Sequence, residues 1–334
     1  MNISKCESKS INSLRFVCII FCVLLHTHYD HLTEEPIRSG LQLLQSGIQI
    51  PFLQILFMLS GYLFFISFDA SSIGGGHFIN NVYLIKIKRR IKTLLIPYLV
   101  WSGMSVLYTY YVKNIDLPQG IEWLTCLWDV GRGNGHPVGM VMWFVKSLIV
   151  FSLLSPLYFV LIRYFKGFTI VVILLLSTIG TDRIDYPFFN IYLLIGSYLG
   201  IMSISFESLT DKLNWRFCLA LFLIMKLVQI YIPLPDYYHY ISEAACIIGL
   251  LGLFMRYPIK QSIAVVSTFV YFSHPYFTGI RNIFFKFVPH DNMLAISLMW
   301  ILTASIIFVF CSTVFIVLKK YSPRVLAFMS GDRI

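Results

Sequence analysis

The chain has 334 residues, 57% of them hydrophobic and only 13% charged, against about 25% charged in a typical soluble domain. Apolar runs of about 18 residues or more recur along its length, the pattern of bilayer-spanning helices, and no polar stretch is long enough to build a separate soluble domain. The formal charge of +10 does not call for nucleic acid, because a membrane protein gathers cations on its cytoplasmic flank.

The first apolar run, "SLRFVCIIFCVLLHTHYDH" from Ser13 to His31, has no small-residue cleavage site after its core, so it is expected to be a retained span. Arg15 and His26 lie eleven positions apart, close to three helical turns and about 16 Å of rise, so they share nearly one face. One face therefore carries a cation near one surface and an imidazole deeper along. Imidazole is the usual general base near neutral pH when it is held neutral. A simpler alternative stays open: Arg15 as a boundary anchor and His26 as a helix-end histidine satisfied by its neighbours. His26 and His28 are two apart and point in different directions. No HExxH-type pattern accompanies them, so no metal site is expected. The seven cysteines are odd in number and lack a CxxC pair, so no disulfide framework is readable. Cys18 and Cys22, on one face at i, i+4, read as small packing residues.

Further along, "QILFMLSGYLFF" sets Ser60-Gly61 in a dense apolar helix, where small residues permit close helix approach. "LIKIKRRIKTLLIPYLVW" gathers Lys86, Lys88, Arg89, Arg90 and Lys92 just before an apolar run. They serve either as a positive-inside anchor or as a phosphate-binding cluster, in which arginine forks clamp phosphate and lysine adds a point charge. A phosphorylated donor such as coenzyme A suits the second reading. Between about 113 and 140, "DVGRGNGHPVG" marks an irregular loop, and Trp123 and Trp128 mark a short interfacial helix. Lys146, about a turn into "MWFVKSLIVFSLLSPL", either snorkels outward or joins a site. Lys226 snorkels or pairs. Glu243 stands near the end of another run, to bind a sugar hydroxyl or pair with a cation. In "VYFSHPYF", His274 precedes Pro275; it is a candidate substrate-binding group or a packing histidine bonded to a carbonyl freed by the proline.

Together the runs define ten expected spans, at about 14–29, 48–68, 94–112, 141–162, 168–180, 187–203, 215–232, 240–255, 262–280 and 293–318. With the N-terminus in the cytoplasm, 18 of the 26 Lys and Arg fall inside, against 6 outside. The fold expected is all-α: a polytopic membrane helix bundle of about ten transmembrane helices with both termini cytoplasmic, one integral membrane domain over 1–334.

Five of these stretches, in order, resemble the acyltransferase 3 family of integral membrane acyltransferases. "LRFVCIIFCVLLH" is similar to its first-span motif of Arg or Lys, ten residues, then His, here Arg15 and His26. "FMLSGYLF", "KRRIKTLLIPYLVW", "MWFVKSLIVFSLLSPL" and "VYFSHPYF" resemble its later segments. In the family's Arg-x-x-Arg before the third-span proline, Arg90 matches the first position and Thr93 departs from the second, with Lys92 and Arg89 as the available substitutes. The resemblance implies O-acyl transfer, most often of acetyl, from cytoplasmic acyl-CoA to a hydroxyl of a cell-surface polysaccharide, glycolipid or lipid-linked sugar. It implies His26 as the catalytic group and Arg15, Arg89, Arg90 and Lys92 on the donor, with Lys146, Glu243 and His274 as weaker substrate-binding candidates. Acyl-CoA is then a donor substrate rather than a resident cofactor, the partners are the acceptor glycan and membrane lipid, and the location is a bacterial plasma membrane. The rival class is a transporter or flippase for a lipid-linked sugar.

Overall fold

The structure, a computed structural model, describes residues 3–29, 32–48, 50–66, 83–113, 117–129, 141–169, 171, 191–232 and 236–331. Among them there is no strand. In chain order the helices are α1 (Lys5–His26), α2 (Ile37–Ile48), α3 (Phe52–Phe65), α4 (Leu84–Arg90), α5 (Ile96–Lys113), α6 (Glu122–Asp129), α7 (Met142–Phe165) and α8 (Ile191–Ile201). They continue with α9 (Phe206–Lys212), α10 (Trp215–Tyr231), α11 (Asp236–Arg256), α12 (Gln261–Ala264), α13 (Ser267–Ser273), α14 (Ile280–Phe285), α15 (Met293–Tyr321) and α16 (Pro323–Ser330). A π-turn at Ile91–Leu95 joins α4 to α5, and a 3₁₀ turn at His274–Phe277 follows α13.

Among the described residues, five helical runs are long and apolar enough to cross a membrane: Lys5–His26, Leu84–Tyr111, Met142–Phe165, Tyr238–Arg256 and Met293–Tyr321. A sixth forms if α8 and α9, bent by 100°, are one broken span. Large apolar side chains such as Leu298, Ile301, Leu302, Val309 and Ile316 on α15 stand exposed, as lipid-facing residues do. Two expected spans take a different form. The basic segment from Leu84 is not a loop before the third span but the start of the same helical run. The ninth is broken into α12, α13, the 3₁₀ turn and α14; the break after Ser273 falls at Pro275, which has no N–H to continue the ladder. The fifth lies outside the described residues beyond 171. The short helix expected around Trp123 and Trp128 is α6; α2, in the first long connection, was not expected.

The described chain forms two compact bodies. The first comprises residues 3–56 and 204–314. Its axis is α1, which packs on α11, α12, α13 and the 3₁₀ turn, while α10 and α11 form a long hairpin. Ser4 caps α1 by accepting from the Glu7 N–H at 3.1 Å. The Glu7 carboxylate is buried and accepts from the Phe206 N–H at 2.8 Å, at the start of α9, so one S-x-x-E signature serves two helix starts. At the other end of α1, Tyr29, Leu41, Val288, Ile296 and Trp300 form an apolar cluster.

The second body comprises residues 57–203 and 315–334. In α7, Pro156 leaves the Ser152 carbonyl without its helical donor, and the Ser155 hydroxyl supplies one at 2.8 Å. Helices α3 and α8 meet backbone to backbone: a Cβ on Gly196 would lie 2.8 Å from the Met58 carbonyl carbon and closer still to its oxygen. At Gly61 a Cβ would lie 2.9 Å from the Ser197 nitrogen of α8, the close approach that small residues at Ser60-Gly61 permit. Helix α16 ends at Gly331, at φ +65°, where any Cβ would lie 2.6 Å from the Thr93 carbonyl. The C-terminal turn thus seats on the π-turn, where glycine alone meets both demands.

Candidate active site

Arg15, Cys18, Cys22 and His26 follow one another at three, four and four residues along α1, and therefore form a single stripe. Arg15 is half-buried and has no hydrogen-bond or ion-pair partner among the described residues. A guanidinium with five donors in such a setting is suited to an anionic group brought by a ligand.

His26 is the last residue of α1, where helix carbonyls run out of backbone donors. Each is met from elsewhere. The Thr27 hydroxyl donates to the Val23 carbonyl at 3.0 Å and the Trp300 indole N–H to that of Leu24 at 2.8 Å. His28 Nδ1 bonds the Leu25 carbonyl at 2.8 Å, and Arg281 donates to the His26 carbonyl at 3.1 Å. His28 is thus a helix-end cap. His31 lies outside the described residues.

The side chain facing His26 is His274. The ring centroids are 5.4 Å apart and the planes are tilted by 37°. His274 is fully buried, and its Nδ1 lies 3.0 Å from the Val270 carbonyl. A carbonyl only accepts, so Nδ1 carries the proton and Nε2 of the neutral ring holds a lone pair. Among the described residues that Nε2 has no hydrogen-bond partner. The packing role expected for His274 is therefore half the account: one nitrogen is tied to backbone, one residue before the Tyr271 carbonyl that Pro275 releases, and the other remains available. Cys22 completes the group. One ligand atom from each of Cys22, His26 and His274 lies within 4.8 Å of the others.

The other sequence candidates sort by place. Glu243, half-buried, accepts from Gln54 Nε2 at 2.9 Å and lies within electrostatic reach of Lys226. In the second body, Lys146 stands 4.6 Å from the Trp128 ring centroid, a cation–π contact. Lys86 and Arg90, four apart, both turn onto the Phe64 ring, at 5.1 and 5.2 Å; Lys86 also donates to the Phe64 carbonyl. Lys88, Arg89 and Lys92 are exposed. The cation cluster thus divides between groups anchored on an aromatic ring and groups presented outward.

A family profile described as an acyltransferase domain matches residues 8–318. The chain belongs to the acyltransferase 3 family. The matched segment includes Arg15, His26, the basic run and His274, so the resemblance read from the five stretches is borne out as family membership. Among its relatives, the chain is 23% identical over 286 residues to the succinoglycan biosynthesis protein ExoH of Rhizobium meliloti (strain 1021), covering 76% of this chain and 70% of that one. No solved structure matches it with significance. Membership of an acyltransferase family, together with the apolar spans, makes the protein an integral membrane acyltransferase. Sequence reasoning missed Arg281 and Trp300 as supports of His26, and Cys22 as its neighbour. They come from segments more than 250 residues away or from a position that read as packing, and no local signal marks them.

Proposed function

We propose that the protein moves an acyl group, acetyl in the first instance, from cytoplasmic acyl-CoA to a hydroxyl of a cell-surface polysaccharide, glycolipid or lipid-linked sugar, at the plasma membrane of a bacterium. The observation that carries this reading is the stripe on α1: an unpartnered arginine in one half of a span and, about 16 Å further on, a histidine whose helix end is held from three other directions. In this reading about ten spans leave both termini cytoplasmic. Arg15 then lies near the donor side and His26 toward the acceptor side. The name of the Rhizobium relative supports a polysaccharide acceptor.

The chemistry follows from the groups. The acceptor oxygen attacks the thioester carbonyl carbon, the C–S bond breaks, and coenzyme A leaves as a thiolate that takes up a proton. His26 accepts the proton of the attacking hydroxyl, or first carries the acyl group itself; a burst of CoA release identifies the second route. The groups proposed for the phosphates of the donor are Arg15 in the first body and, in the second, Arg89, Arg90 and Lys92, with Arg90 braced on Phe64. His274 Nε2 is free to accept a hydrogen bond from the acceptor hydroxyl, and Glu243 and Lys146 serve as further contacts to the sugar.

The test is incubation of the purified protein with labelled acetyl-CoA and candidate glycans. Label in the glycan is expected. Movement of a lipid-linked sugar across vesicles without label would favour the transporter reading instead.

A further inference from the structure

We propose that Cys22, His26 and His274 form a binding site for one thiophilic divalent cation, zinc being the type case, and that its occupancy stops acyl transfer by engaging the His26 ring nitrogen. The inhibitory consequence rests on the transferase reading of His26; the binding site does not.

Three observations meet here. The ligand atoms of the three side chains lie within 4.8 Å of one another. A tetrahedral zinc ion with bonds of about 2.0–2.1 Å to nitrogen and about 2.3 Å to sulfur sets its ligand atoms about 3.3–3.6 Å apart, so small side-chain rotations, each moving an atom by roughly 1 Å, close the set. His274 is fully buried, and its Nε2 has no other partner among the described residues. Its Nδ1 bond to the Val270 carbonyl is the backing that zinc-binding imidazoles commonly have, since it fixes the tautomer and aims the lone pair. Cys22 and His26 are four apart on one helix, the spacing that lets two side chains grip one ion.

The donor set selects the ion. One thiolate with two imidazoles suits zinc or cadmium and is poor for calcium or magnesium, which take oxygen ligands. Binding displaces the thiol proton of Cys22, so a divalent ion and one thiolate bring a net charge of +1 into the site. The Arg281 guanidinium, bonded to the His26 carbonyl, opposes that charge. This arrangement favours reversible occupancy over a permanent structural ion. Three ligands leave the fourth position for water. His26 then has a ring nitrogen on the metal and can no longer take the acceptor's proton through it.

The experiment uses the full chain in detergent, with Cys6→Ser and Cys126→Ser to silence the two thiols that are not buried. Cadmium titration is expected to raise an ultraviolet thiolate-to-metal band with a stoichiometry of one, absent in Cys22→Ser and weakened in His274→Ala. Affinity should drop by about 100-fold or more on loss of Cys22, beyond the ~10- to 100-fold caused by losing an outer-shell partner. Zinc is expected to inhibit transfer reversibly in the parent and, with each protein's rate normalised to its own metal-free value, to lose that effect in Cys22→Ser. Cadmium bands that survive Cys22→Ser, or equal zinc inhibition in that variant, overturn the proposal. X-ray absorption at the zinc edge of the parent needs no variant: one sulfur and two imidazoles support the site, and a shell without sulfur overturns it. Metal binding of this kind in a protein that transfers no acyl group would refute the proposed function and leave the site standing.

Discussion

Removing Arg281 tests whether the end of α1 is held for catalysis. The His26 carbonyl receives the Arg281 guanidinium at 3.1 Å, while the carbonyls of Val23, Leu24 and Leu25 each have other donors. Arg281→Ala therefore withdraws the donor of the carbonyl of His26, the proposed catalytic residue, and leaves the remaining caps in place. A hydrogen bond from a charged group contributes about 1.5–3 kcal/mol. If all of that appears as loss of the ordered last turn, the fraction of molecules with His26 in position falls by about 10- to 150-fold, at 1.36 kcal/mol per decade. The assay is steady-state transfer from labelled acyl-CoA by the purified variant, with His26→Ala as the floor. The kcat should fall within that range while the KM for acyl-CoA stays near that of the parent, because Arg281 is on neither the stripe nor the basic run. A variant with the parent kcat would refute the idea that this contact positions His26.

Other outcomes follow from the same geometry. His26→Ala is expected to lower kcat by about 10²- to 10⁴-fold, the range of a lost general base, with unchanged membrane insertion by fractionation; retained activity removes His26 from the chemistry. Arg90→Ala should raise the KM for acyl-CoA by about 10-fold or more, corresponding to one charge-assisted bond, and an unchanged KM would take it off the donor. Gly196→Leu forces a side chain into the Met58 backbone, an overpacking that costs about 1–3 kcal/mol. It should lower the thermal midpoint of the solubilised protein, and an unaltered midpoint would contradict the contact between α3 and α8.

Apolar runs predict helices well where nothing local interrupts them. The expected 141–162, 240–255 and 293–318 correspond to Met142–Phe165, Asp236–Arg256 and Met293–Tyr321. The start of α1 lies nine residues before the expected one, because Ser4 and Glu7 cap it outside the apolar run. A capping signature, rather than hydropathy, marks that boundary. Pro275 stood in the ninth run as a visible break, yet a window average reads through it. The candidate site was legible only along α1, where Arg15 and His26 share a helix and spacing converts to direction. The meeting of His26 with His274 depends on α13 packing on α1 across 248 residues of sequence. No pattern within either segment encodes that pairing. The five cations before Pro97 read as one cluster, but their division between the Phe64 ring and the outside depends on what α4 packs against.

Helix α3 carries a consequence for the depth of the protein. It has 14 residues between Pro51 and Ile66, a rise of about 21 Å, whereas the hydrocarbon core of a bilayer is about 30 Å thick. None of its residues is exposed, so its ends are met by protein or by water held within it, not by lipid. For an enzyme proposed to take its donor from one side and its acceptor from the other, a short helix enclosed in protein is a place where polar groups can reach below the membrane surface.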